Sequence, residues 1–457
     1  MKVSGFIWDD CTYKCDYNLL KELGIDIPYV GYDKGMSCTI NGLNRAAENN
    51  MQIMVTAWPF WNYFKKDPAT ASSVYSYNVS KLLKHDALHS IYIWDEPSMD
   101  RLDEVTELVT KTRAWQEHLG TNKKLYINLF PTYATNKQLG TDDYHEYVET
   151  FVQLSDVVSG DYFFVRNYNN KTEISTKAHF PNSEITPENL YIFLRELFDA
   201  SKKYNKPLWL WMVTAQHNQF AYLDDISMRL QFNIGYIVGA ELMQFWTARS
   251  AIPEEIYGGK YDYDAAPILR DYTKGESFEM AKTYLHEVAP KLNEIFDRCT
   301  VIDFGKVDQN TPTISEEVPF DSGTNDIYWN KMEDGDKNKY WTVMNFNAFD
   351  TITVKVKKGY TFYNKNFEEE IVKKTEEEVT LLPGELLIIK SPYKEFDQLT
   401  ESRFWQSKAL EIAEEIDEHW QSIMNSLRSK PNTYLISEDY YLMIRELKQV
   451  MKTYNMI

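Results

Sequence analysis

Hydrophobic positions in the first 250 residues fall into short runs separated by amphipathic stretches. The runs are "KVSGFIW" (2–8), "DIPYVGY" (26–32), "QIMVTAW" (52–58), "SIYIW" (90–94), "KLYINLF" (124–130), "DVVSGDYFF" (156–164), "PLWLWMV" (207–213) and "GAELMQFW" (239–246). Between them lie "DYNLLKELG" (16–24), "LDEVTELVTKTRAWQEHLG" (102–120) and "ENLYIFLRELFDASKKYN" (188–205). The last two repeat apolar residues at helical spacing and meet stop signals at Gly120 and at Asn205 and Pro207. Strands alternating with helices predict a parallel sheet with right-handed crossovers. Eight units in roughly 250–290 residues match a closed barrel. An open doubly wound sheet would place a glycine-rich phosphate turn after the first strand, where this chain reads "WDDCTYKC". The predicted fold is therefore α/β, a (β/α)8 barrel.

The pattern changes after "SFEMAKTYLHEVAPKLNEIFDRC" (277–299), a helix expected to close the barrel. Residues 327–390 alternate in short strands around "EDGDKN", "KKGY" and "LPGE" turns, which predicts a small antiparallel β-sandwich. From about Glu395 the pattern is helical again, over 400–429 and 437–453. It reads as a packed hairpin burying Phe404, Trp405, Leu410, Ile416 and Met424. The expected division is barrel 1–299, sandwich 300–393 and helical tail 394–457.

Composition narrows the partners. A net charge of −19 argues against nucleic acid and anionic membranes. No apolar run reaches the ~18 residues that span a bilayer. "MKVSGFIWDD" shows no signal-peptide core, so a cytoplasmic location is expected, or an exported one if a leader is removed. Four scattered cysteines, Cys11, Cys15, Cys38 and Cys299, read as free thiols. No metal or other cofactor is expected. His85 and His89 in "HDALH" precede a strand and lack the internal glutamate of a zinc helix, and "EDGDK" (333–337) is too short for a calcium loop.

In a parallel barrel, chemistry collects where the strands end. Those positions hold Trp8 and Asp10, Trp58 and Trp61, Asp95 and Glu96, Asn128 and Tyr133, Asp161 and Tyr162, Trp211, Gln216 and His217, and Trp246 and Arg249. Flat aromatic rings mixed with carboxylates and amides suit the apolar faces and hydroxyl edges of sugars. Glycoside hydrolysis typically needs two carboxyl groups, one protonated and one ionised. Asp95 and Glu96 are adjacent, so strand alternation predicts that only one enters the barrel mouth while the other turns to a neighbouring loop. Either could instead cap the helix that begins near Ser98 or Asp100.

"IYIWDEPSMD" followed by "LYINLFPTYA" resembles a group of (β/α)8-barrel glycoside hydrolases and hydrolase-like proteins of polysaccharide-degrading bacteria. The resemblance extends through "SGDYFF", "KPLWLWMVTAQH" and "FNIGYIVGAELMQFW" to "LLPGELLIIK", covering roughly residues 1–390. It implies that Glu96 occupies the general acid/base position. It also implies a glutamate nucleophile ending the seventh strand, where this chain reads "VTAQHNQ" without a carboxylate. Asp161 then becomes the second carboxylate, with Asp10 in reserve; Glu241 sits at the wrong end of its strand. The departure leaves three options: another carboxylate pair, an inverting mechanism, or lost catalysis.

The leading expectation is a glycoside hydrolase acting on an oligosaccharide or polysaccharide fragment. Glu96 and Asp161 would be catalytic. Asp10, Trp58, Trp61, Asp95, Asn128, Tyr133, Trp211, Gln216, His217, Trp246 and Arg249 would contact the sugar. The rivals are a non-catalytic carbohydrate-binding protein on the same barrel and a structural or assembly protein. The latter would form homo-oligomers through the C-terminal helices.

Overall fold

The computed structural model describes residues 1–8, 15–31, 35–57, 61–168, 171–174, 185–217, 220, 222–252, 262–307, 318–323 and 326–392. Asp10, Trp58, Cys11 and the helical tail lie outside these. Residues 1–390 form one compact unit.

Eight parallel strands close a barrel in chain order. They are β1 (Lys2–Trp8), β2 (Tyr29–Gly31), β3 (Ile53–Thr56), β4 (Leu88–Asp95), β5 (Lys124–Leu129), β6 (Val158–Asp161), β7 (Leu208–Val213) and β8 (Leu242–Trp246). Each lies within one of the eight apolar runs apart from one-or-two-residue overhangs at the ends of β4. Runs of this kind, apolar on both faces, are what a sheet covered by helices requires. Large rings fill the barrel interior: Phe6, Tyr29, Tyr92, Tyr126 and Trp209 pack with centroids 4.7–5.1 Å apart. Their bulk lifts the open space to the C-terminal rim.

The helices Leu102–Leu119 and Pro187–Tyr204 fall where periodicity places them, ending in the left-handed residues Gly120 and Asn205. The second packs tightly against β6. A Cβ on Gly160 would stand 2.9 Å from Phe193 and 3.0 Å from Leu197, both buried on that helix. Gly160→Ala should therefore push the helix off the strand that carries Asp161, costing about 1–3 kcal/mol. An unchanged thermal midpoint would show that the helix yields freely.

Past β6 the chain departs from the expected strand, which ran to Phe164. The strand stops at Asp161, and a two-stranded antiparallel hairpin, Val165–Tyr168 with Lys171–Ile174, follows at the rim. The closing helix is also broken up. Phe278–Thr283 and Ala289–Phe296 flank a π-helical turn at Tyr284–Val288, just before Pro290, which has no N–H to donate.

The sandwich begins at Cys299–Val307, earlier than the alternating pattern showed. This strand joins a six-stranded antiparallel sheet with Ile327–Asp334, Lys339–Asn345, Leu386–Lys390, Thr361–Tyr363 and Glu369–Ile371. A three-stranded sheet, Phe320–Asp321, Ile352–Lys357 and Glu376–Leu381, faces it. Helix Asp225–Val238 is wedged between barrel and sandwich, and nearly all its residues are buried. Asn330 donates to the Tyr236 and Ile237 carbonyls at 3.1 and 3.0 Å, and Asn233 to that of Gly384 at 2.8 Å. These bonds tie the sandwich to the element that leads into β8.

Cys38 is disulfide-bonded, which corrects the free-thiol expectation for that residue; Cys299 is a free thiol. Spacing along the chain does not reveal which loops a barrel brings together. "EDGDK" forms a hairpin turn in which Asp334 accepts the amides of Asp336 and Asn338, both at 2.9 Å. No helix among the described residues is long and apolar enough to cross a membrane.

Candidate active site

A pocket of about 430 Å³ opens at the C-terminal rim of the barrel. Asp95, Glu96, Asn128, Tyr133, Asp161, Trp211, His217 and Trp246 line it, all of them sequence candidates. Strand ends bring them there: β4 supplies the first two, β5 Asn128, β6 Asp161, β7 Trp211 and β8 Trp246.

Both acids of the "DEP" element face this pocket, contrary to the alternation argument. Two local features account for it. The β4–β5 register slips between Tyr92 and Trp94, so Tyr92 pairs with Tyr126 while Asp95 pairs with Asn128. The extra residue puts Tyr92 and Asp95 on the same, inner face. The strand then ends, and Glu96 adopts a left-handed φ of 48°, its N–H held by the Asn128 carbonyl at 2.9 Å. Such a backbone costs about 1–3 kcal/mol for a non-glycine residue. Neither acid caps the next helical turn; Ser98 does, accepting the Asp100 amide at 3.3 Å.

Hydrogen bonds order the carboxyl groups. Asn128 Nδ2 donates to Asp161 at 2.7 Å and to Asp95 at 3.4 Å, while Ser159 Oγ donates to Asn128 Oδ1 at 3.1 Å. The Tyr92 hydroxyl donates to Asp95. Glu96 and Asp161 are hydrogen-bonded to each other, with Glu96 as donor. Burial is the largest influence on all three acids and pushes each upward. Glu96 is raised well above the usual carboxylate range, the charges of Asp161 and Asp95 adding to burial. Asp161 is also raised, by burial and then by Asp95. Asp95 is exposed through the open mouth, so water moderates the rise that its depth among protein atoms produces. Glu96 and Asp161 therefore hold a proton near neutrality and titrate as a pair.

Because the folded chain retains this proton, it loses stability as pH rises. Between the ordinary Glu value near 4.3 and the raised one, the folded chain keeps a proton that the unfolded chain has released. Stability then falls with increasing pH. Glu96→Gln, which can still donate to Asp161, should raise the thermal midpoint by roughly 2–6 °C at pH 8. It should change little at pH 4. Equal differences at the two pH values in scanning calorimetry would contradict this linkage.

Aromatic walls complete the pocket. Trp246 stacks on Phe6 at 4.8 Å and meets Trp211 and Tyr263 edge-on at 5.8 Å. Tyr133 meets Tyr162 at 5.0 Å. His217 is buried, its Nδ1 3.0 Å from the Ala215 carbonyl and its ring 4.7 Å from Tyr263. Burial lowers its pKa, so it is neutral at pH 7.

The structure does not bring every candidate here. Trp61 lines a separate rim pocket of about 580 Å³ with Trp94, Lys65, Arg101 and Glu104. Gln216 is exposed, and its backbone pairs with Asp264. Arg249 is buried away from the pocket, donating to the Arg270 carbonyl at 2.6 and 3.1 Å with its guanidinium over Tyr272. Glu241 lies at the opposite end, near Lys124. His85 and His89 are also at that end of β4; His85 accepts the Ala87 amide, and burial holds His89 down to about 4. Among the described residues no group of three His, Cys, Asp or Glu is placed to hold a metal ion.

Sequence reading missed Tyr92, Phe130, Gln138, Phe163, Phe220 and Tyr263 in the lining. Tyr92 was legible as the inner residue of β4. Tyr263 was not, because it arrives from beyond β8 through an irregular segment with no periodic signal.

No family model matches the chain, and no curated protein sequence matches it. Solved structures do. A β-galactosidase from the psychrophilic Marinomonas ef1 is 14% identical, over 64% of this chain and 60% of that one, with a TM-score of 0.42. A GH27 β-L-arabinopyranosidase from Geobacillus stearothermophilus is 10% identical, over 86% and 96%, with a TM-score of 0.44. A β-glucuronidase from Ruminococcus gnavus is 10% identical, over 63% and 50%, with a TM-score of 0.40. The chain spans less than two thirds of the first and third of these. All three are glycosidases by name, and at these identities the likeness concerns fold alone.

Proposed function

We propose that the protein is a glycoside hydrolase acting on an oligosaccharide or polysaccharide fragment. The observation that carries this reading is the meeting of a proton-holding Glu96 with Asp161 inside an aromatic-walled pocket at the barrel rim. Glu96 delivers its proton to the glycosidic oxygen as the bond to the anomeric carbon breaks. Asp161 either attacks that carbon or takes a proton from the water that does. Asp95, held by Tyr92 and Asn128, accepts a hydroxyl of the sugar. Hydrogen-bonded carboxyls stand closer than the ~5–5.5 Å of a retaining pair or the ~6.5–9.5 Å of an inverting one. An entering glycoside must therefore part them, replacing Asp161 as the acceptor of the Glu96 proton.

One feature favours a second reading, a carbohydrate-binding protein without turnover. The end of β7 offers Trp211 to the pocket and no carboxylate. Incubating the protein with a panel of oligosaccharides and aryl glycosides, with Glu96→Gln as control, separates the readings. Release of reducing sugar or aryl alcohol that is lost in the variant supports hydrolysis. Tryptophan quenching without cleavage supports binding alone. The disulfide at Cys38 favours an exported protein, since such bonds are rare in reducing cytoplasm.

A further inference from the structure

Among the described residues, the pocket places three carboxyl groups together with no cationic side chain in its lining. None of its described lining residues is Lys or Arg. Arg249 is committed to the Arg270 carbonyl, and Lys65 and Arg101 line the separate pocket beside Trp61. His217 shares the lining but is neutral, and the other titratable lining groups, Tyr92, Tyr133 and Tyr263, supply no cation at any pH. No positive side chain is among the influences on Asp95 or Glu96: burial leads on both, followed by the charges of Asp161 and Asp95 on Glu96 and by hydrogen bonds from Tyr92 and Asn128 on Asp95. A neutral sugar entering this space would remove water from crowded acids and return only hydroxyl contacts. A uronic acid would add a further negative charge.

An ammonium group changes this balance. It pairs with Asp95 and lets it ionise while Glu96 keeps its proton, and electron-rich aromatic faces such as those of Trp246 and Tyr263 attract it as well. Resting on the carbohydrate reading above, we infer that the preferred ligand is an amino sugar whose amine is free and protonated, bound with its ammonium paired to Asp95 beside Glu96 and Asp161. The sugar ring lies along the aromatic wall. Hydrogen bonds to charged partners set the expected preference at about 10- to 100-fold over the neutral parent.

Calorimetric titration of the full chain at pH 7 and low salt tests this with matched ligands. The set is di- and trisaccharides of glucosamine and galactosamine, their N-acetylated forms, the parent neutral oligosaccharides, and a uronate oligomer. The free amines should bind about 10- to 100-fold more tightly than their N-acetylated and neutral counterparts, and less tightly as salt rises. Asp95→Asn should shrink that preference to a few-fold, weakening the free amines far more than the neutral sugars, whose single hydroxyl contact to this residue the asparagine oxygen can still accept. Equal or tighter binding of a neutral, N-acetylated or uronate ligand overturns the amine assignment and leaves the carbohydrate reading standing. If no ligand of the set binds and no glycoside is cleaved, both fall.

Discussion

Glu96→Gln is expected to slow cleavage of a natural oligosaccharide by 10²- to 10⁴-fold, the range over which positioned acid/base groups act. Glutamine keeps the side-chain shape and can donate to Asp161, but it has no proton to give to a departing oxygen. Binding should survive, because the aromatic wall and Asp95 are untouched. Single-turnover kinetics beside equilibrium titration with the uncleaved sugar separate the two effects. A variant that lost affinity and turnover in equal proportion would place Glu96 among the binding groups instead.

Asp161→Asn should be at least as damaging and should spare no class of substrate. A nucleophile or base is needed whether or not the leaving group requires protonation, so activated aryl glycosides should fail along with natural ones. Asparagine can still pair with Asn128 by turning its amide, which keeps the local hydrogen bonding near its present form. Its neighbours respond in a defined direction. Removing the Asp161 charge takes away one of the influences that hold Glu96 high, so Glu96 should lose its proton at a lower pH than in the parent protein. Carboxyl titration followed by NMR would show this, and an unmoved Glu96 would mean that burial and Asp95 set it without Asp161.

The barrel was legible because its strands, covered on both sides, must be apolar throughout, and each run ends where polar rim chemistry begins. The same rule located Asn128, Asp161, Trp211 and Trp246. What failed was local geometry. A one-residue slip at Ile93 and a left-handed Glu96 turn two adjacent acids into one pocket, and alternation cannot foresee either. Trp61 and Arg249 follow strand ends as closely as the true lining residues do. A helix carries Trp61 toward the outer face of Trp94, and Arg249 is drawn to a carbonyl of the chain beyond β8. The left-handed backbone of Glu96 is stored strain at the centre of the pocket, the kind of local cost that functional positions carry.

In the proposed reaction Glu96 gives its proton to the leaving group. The most direct measurement of this transfer is kcat/KM for a series of aryl glycosides that differ only in the acidity of the released phenol, for parent and Glu96→Gln proteins. The account predicts a shallow dependence in the parent and a steep one in the variant, the two lines converging at the most acidic phenols. Parallel lines would contradict it, since a missing proton donor must matter most where the leaving group needs it most.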